Sequence, residues 1–151
     1  HQRKLKGSLN MIIIDIVLCV ASIISGLVSL WGILHNKFLA VDAFFTAMEN
    51  KDFIKARQHV YNTDNFKIDD IEAAEVVNFF HHWGLLAKKH FLPLWVFKGG
   101  SGAGTIRLYK KLEPFIINMR EEKHDPSYAG YFEWLYHRIQ GKRLRKANTK
   151  W

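Results

Sequence analysis

Met11–Leu34 reads MIIIDIVLCVASIISGLVSLWGIL, and these 24 residues hold a single charge, Asp15. Wound as an α-helix at 1.5 Å per residue, the stretch is about 36 Å long. That exceeds a hydrocarbon core of about 30 Å and leaves room for tilt. A helix apolar around its whole circumference is either a membrane span or the core helix of a large protein, and this run is too long for the modest core that about 115 further residues can build. A signal peptide would be shorter and would end at a small-x-small cleavage site, which does not follow here. The stretch is therefore expected to be a single transmembrane helix, with Trp31 at the level of the headgroups. It divides the chain into a basic N-terminal segment (1–10), the span (11–34), a domain (35–140) and a basic C-terminal tail (141–151). Residues 1–10 read equally as native sequence or as residues placed ahead of a natural start at Met11.

Asp15 falls in the first turn or so of the span, where a carboxylate can reach the interface. Ala21, Ser25 and Ser29 recur every four residues, and Ser22 and Gly26 form a neighbouring pair. Small residues at this spacing let helix backbones approach closely in lipid. This face is the candidate packing surface for a second copy of the chain or for another membrane protein. Arg3, Lys4 and Lys6 precede the span, and only Lys37 and Lys51 fall in the first twenty residues after it. Read literally, the positive-inside rule then puts the domain outside the cell. Three features point the other way: one cysteine in the whole chain, no N-glycosylation sequon, and a basic domain suited to an anionic cytoplasmic leaflet. The expectation is a single-pass protein of the cell membrane with its domain in the cytoplasm.

Beyond the span the apolar residues follow a helical period. Phe38, Val41, Phe44, Phe45 and Met48 predict a helix over 37–49, and Asn50 is placed to cap the next. Lys67–Trp83 is the clearest helix, with Asp69 or Asp70 at its start, Ile71, Val76, Phe79, Phe80 and Trp83 on its apolar side, and Gly84 suited to end it. Leu85–Phe97 fits either a strand pair or a short helix pair. Gly99, Gly100, Gly102 and Gly104 suggest a flexible turn before a helix over Thr105–Arg120, which Pro114 should bend or open. Asp125-Pro126-Ser127 should start a last helix that Gly141 ends. The fold expected is all-α: one N-terminal transmembrane helix followed by a compact bundle of four to six helices.

No catalytic pattern stands out. Gly99–Thr105 is rich in glycine, but no lysine follows the last glycine and no Gly-x-Gly-x-x-Gly spacing is present. His81, His82 and His90 lie close in sequence, yet neighbours on a helix point about 100° apart and do not share one metal. Ser101 lacks the surroundings of a nucleophile elbow. Glu72, Glu75, Glu113, Glu121 and Glu133 are scattered over different helices, so spacing names no pair. No cofactor or metal is expected. A hydrolase or transferase with a site gathered from distant helices remains the first alternative.

The net charge is +8, from 22 Lys and Arg against 14 Asp and Glu. Arg138, Lys142, Arg143, Arg145, Lys146 and Lys150 crowd the last fourteen residues without an acid. These residues are candidates for contact with an anionic surface. For an anchored chain the nearest one is membrane lipid, where each cation contributes on the order of 1 kcal/mol. Nucleic acid would feel the same charge and is the second alternative.

Several segments of the domain resemble a bacterial domain-of-unknown-function family numbered 4760. They are Val76–Leu86 (VVNFFHHWGLL), Leu112-Glu113-Pro114-Phe115-Ile116 with Arg120, and Tyr128 followed by Phe132-Glu133-Trp134-Leu135. The resemblance spans roughly residues 37–140. It implies a helical domain behind one membrane helix, in a small bacterial or phage-borne membrane protein, and a helical 85–97. It brings no activity, cofactor or catalytic residue. Its signature residues here, Asn78, Phe80, Gly84, Arg120 and Glu133, have structural roles open to them, including an Arg120–Glu133 pair between helices. Together these readings favour a membrane-anchored helical interaction or regulatory module without catalysis of its own.

Overall fold

The computed structural model describes the backbone of residues 2–148 and the side chains of residues 11 and 13–141. The described chain is helical and contains no strand. It divides into two compact units, residues 1–38 and 39–151.

Helix α1 (Gln2–Met48) supplies the whole of the first unit. Its Ile13–Met48 portion is the one helix among the described residues long and apolar enough to cross a membrane. Between Met11 and Leu34 the described large apolar side chains are exposed, and no other described residue of the chain covers them.

The second unit is a bundle built from the end of α1, α2 (Lys51–Asn62), α3 (Ile71–Lys88), a 3-10 turn (Leu94–Phe97), α4 (Gly100–Glu122) and α5 (Gly130–Asn148). Asn50 caps α2, its side-chain oxygen accepting from the Asp52 and Phe53 N–H groups at 2.8 and 3.3 Å. Helix α3 is the centre of the bundle. Ala73, Val76, Val77, Phe80, Trp83, Gly84 and Ala87 are all buried, a repeat of three and four that lines one face. That face packs most extensively on α5 and then on α2. Phe44, near the end of α1, is 1% exposed and meets Trp83 and Phe97 edge-on, each at 5.2 Å between centroids.

Four local expectations are corrected. Gly84 does not end a helix, because α3 runs on to Lys88. A Cβ built on Gly84 would overlap the Tyr131 carbonyl of α5, so the glycine serves close approach of two helices. Gly100, Gly102 and Gly104 are not a flexible turn but the opening turns of α4. Gly99 caps that helix at φ 71°, a left-handed conformation that suits glycine, while a Cβ on Gly102 would overlap the Phe97 carbonyl. The last helix begins at Gly130 rather than Asp125. The Asp125 carboxylate accepts from the Ser127 N–H and hydroxyl at 2.9 and 2.6 Å and holds a turn there. Gly141 lies inside α5. Of Leu85–Phe97, the first four residues complete α3. Phe91 and Leu92 then donate to the Leu86 carbonyl, and Leu94–Phe97 form the 3-10 turn.

Candidate functional site

Ile71 is 76% exposed, although the sequence reading gave it to the core. It sits nine positions before Phe80, half a turn out of phase at 100° per residue, so it faces away from the buried side of α3. Together with Ile68 and Phe79 it makes the apolar lining of an open groove of about 670 Å³ at the start of α3. Asp69, Glu75 and Asn78 supply its polar groups. Ile68 also borders a second groove of about 550 Å³, lined by Asn118, Glu121, Glu122 and His124. A domain whose chain carries +8 thus shows an acidic end with exposed isoleucines in the middle of it.

Asp70 braces this end. One carboxylate oxygen caps α3 by accepting from the Ala73 N–H at 2.8 Å. The other lies 3.0 Å from Nε2 of His59 on α2. Burial by itself would raise the Asp70 pKa. The hydrogen bonds from His59 and Ala73, with the charge of His59, outweigh burial and hold it below the ordinary 3.8. A group with a depressed folded pKa contributes stability that is full above its unfolded value and fades as pH falls through the folded one. Asp70→Ala is accordingly expected to lower unfolding stability by about 1 kcal/mol at neutral pH. The difference from the parent should shrink as pH drops below 3.8. Denaturant titrations of the full chain in detergent at several pH values measure this.

His59, Asp70 and Glu72 place potential ligand atoms within 4.8 Å of one another. Both Asp70 oxygens are already engaged, so a cation there would have to displace the His59 contact. His59 and Asp70 fasten α2 to the start of α3. His81 and His82 diverge: His81 is half-buried against Tyr131 at 5.0 Å, and His82 is exposed beside Trp83. Burial, and then the nearby His82, lower the His81 pKa from 6.5. The Ser101 hydroxyl donates to the Val96 carbonyl at 2.7 Å and ties the 3-10 turn to α4.

The five signature residues separate into different roles. Phe80 lies in the core, stacked on Phe132 at 4.9 Å. Gly84 meets the Tyr131 backbone. Arg120 of α4 donates through Nε to the Tyr128 carbonyl at 2.9 Å and through Nη2 to Glu133 of α5 at 2.7 Å. Asn78 alone is exposed, in the acidic groove. Beside the ion pair, burial and then the charges of Glu133 and Glu113 push the Tyr109 pKa up to about 12, so its hydroxyl stays protonated at physiological pH. Arg120→Ala would leave a backbone carbonyl and a carboxylate without their partner. With the side chains 22% and 38% exposed, the expected loss is about 2 kcal/mol, between the values for surface and buried pairs. Arg120→Ala, Glu133→Gln and the double variant, compared by unfolding, should show a coupling above about 0.5 kcal/mol.

Of the expected anionic-surface contacts, Arg138 is exposed on α5, and the side chains of Lys142, Arg143, Arg145, Lys146 and Lys150 lie outside the described residues. In the apolar helix, the Ser22 and Ser29 hydroxyls donate to the Leu18 and Ser25 carbonyls at 2.8 and 2.9 Å. Gly26 has open space where a Cβ would stand.

The family model of the domain of unknown function DUF4760 matches residues 20–139. The chain belongs to this family. The match takes in the second half of the apolar stretch, α2 to α4 and α5 as far as Ile139, and stops short of the basic tail. Among curated proteins and solved structures, nothing matches the chain. The family description assigns the domain no function.

Proposed function

We propose that this DUF4760 protein is a single-pass membrane protein whose helical domain is an interaction module rather than an enzyme. The observation that carries the reading is the exposed apolar circumference of α1. An apolar helix of this length, uncovered by the other described residues, is suited to a lipid surrounding. The non-catalytic half of the reading draws on how the polar groups of the domain are used. Ser101 ties the 3-10 turn to α4, Asp70 caps α3 and pairs with His59, and Arg120 and Glu133 hold each other.

Two surfaces suit a partner. Along α1, Ala21, Ser25 and Ser29, with Ser22 and Gly26, form a small-residue face. Its Ser22 and Ser29 hydroxyls are satisfied within the helix, and its small side chains allow close packing in lipid. This face takes a second copy or another membrane protein. In water, the groove with Ile68, Ile71 and Asn78 takes a protein segment that offers an apolar side chain beside a cation. The single cysteine and the basic balance favour a cytoplasmic position for the domain.

Native mass spectrometry of the full-length protein, gently extracted from its membrane, tests the reading. A homo-oligomer or a stoichiometric partner is the expected result. Ser25→Leu with Ser29→Leu should weaken the assembly at least tenfold, about 1.4 kcal/mol. A monomer that retains only a small molecule would overturn the module reading.

A further inference from the structure

Phe91 and Trp95 are 61% and 52% exposed, large aromatic rings left in water by a domain that buries or half-buries most of its others. Their exposure is built into the backbone. His90, at φ 65°, turns the chain sharply at the end of α3, and the Phe91 and Leu92 N–H groups both donate to the Leu86 carbonyl, at 2.9 and 3.1 Å. Leu92, Val96 and Phe97 are buried and pin the segment from both sides. Phe91, just ahead of Leu92, and Trp95, between Leu92 and Val96, are left outward. Lys88, Lys89 and Lys98 flank the two rings and are exposed, and Lys88 holds its ammonium 5.3 Å from the Tyr131 ring and 6.0 Å from that of Trp134. No carboxylate lies between residues 76 and 112. Apart from Glu113 in the middle of α4, the acids of α3 and α4 lie at the start of α3 (Glu72, Glu75) and the end of α4 (Glu121, Glu122), and Glu75, Glu121 and Glu122 line the grooves that Ile68 borders.

We infer that the Lys88–Lys98 segment is an interfacial foot that seats the domain on an anionic lipid surface, with Phe91 and Trp95 in the headgroup layer and the three lysines on lipid phosphates. Aromatic rings with an apolar body suit that layer, and each lysine near an anionic leaflet adds to the attraction. The same field repels the acidic carboxylates and turns the Ile68 groove toward water, where a partner can reach it. The inference rests on the membrane reading above and adds an orientation and a lipid class to it.

Cys19 is the only cysteine, so Cys19→Ser gives a background for single spin labels. Labels at 27, 71, 91 and 95 are compared in the full chain, reconstituted in phosphatidylcholine discs with and without phosphatidylglycerol. Collision with oxygen, relative to a water-soluble nickel complex, reports depth. Labels 91 and 95 are expected to favour oxygen in the anionic discs, while 71 favours nickel. Replacing Lys88, Lys89 and Lys98 by glutamine should lower the preference at 91 and 95 at least about fivefold, the factor one surface lysine is worth. If 91 and 95 behave like 71 while 27 lies in lipid, the foot is wrong and the anchor stands. If 27 itself favours nickel, the anchor reading falls as well. An unchanged preference in the glutamine variant would overturn the choice of anionic lipid.

Discussion

Phe132→Ala is expected to lower the stability of the domain by about 3–5 kcal/mol. The Phe132 ring is fully buried, stacked on Phe80 at 4.9 Å and met edge-on by Tyr109 at 5.1 Å. It therefore joins α3, α4 and α5 at one point. Truncation removes the ring's transfer energy, leaves a cavity among side chains that cannot collapse into it, and ends two aromatic contacts at once. For a domain of this size the midpoint of thermal unfolding should fall by about 15 °C or more. Phe132→Leu keeps most of the volume and should recover more than half of the loss. Near-ultraviolet circular dichroism of the full chain in detergent, scanned with temperature, distinguishes the three proteins. A shift under about 5 °C for the alanine variant would mean that the α3–α5 contact is not the centre of the core.

The second large effect is one where two forces oppose each other. Gly84 lies inside α3, and in an exposed helix interior Gly→Ala would stabilise by about 1 kcal/mol through backbone entropy. Here the new methyl would overlap the Tyr131 carbonyl oxygen and come within 2.8 Å of its carbon. The obstacle is backbone, so no side-chain rotation relieves it, and α3 and α5 must move apart along their whole contact. Overpacking of this kind costs about 1–3 kcal/mol or more, so the sign reverses and Gly84→Ala is expected to destabilise by about 2 kcal/mol. Gly141→Ala is the control. It also lies within a helix, and a Cβ there meets nothing within 4 Å. It should be neutral or stabilising. Equal effects at both positions would remove the close-packing account of Gly84.

The architecture was readable because α3 states it so plainly. Its apolar residues repeat at three and four, Asp70 stands at its start as a cap, and the Met11–Leu34 stretch is long and apolar enough to cross a membrane. The glycines were harder. A glycine signals a helix end, a turn or a close contact with the same letter, and only the position of Tyr131 or Phe97 distinguishes these. The Gly99–Gly104 run looked like a turn because its propensity is poor. Packing against the 3-10 turn overrides that propensity. The acidic groove lay outside sequence reasoning for two reasons. Ile71 was read by composition rather than by phase, and counting turns back from Phe80 would have turned it outward. Asp70 and His59 are eleven residues apart across a loop whose path no local rule gives. The Arg120–Glu133 contact, by contrast, joins two residues that the family resemblance had already singled out.

The dominance of α3–α5 packing also bears on how the chain is made. Phe80 and Phe132 are separated by 52 positions, as are no two neighbours along a helix, and α5 is the last element of the described chain. While the protein is being synthesised, α1 to α4 emerge first, and α2 can cover only part of the α3 face that carries Phe80 and Gly84; the share that α5 covers stays open until Ile139 has left the ribosome. Non-local closure of this kind is slow, and the waiting surface is sticky. A chain cut short before Gly130 would be an apolar helix joined to an open hydrophobic groove, a natural target for chaperones and membrane proteases.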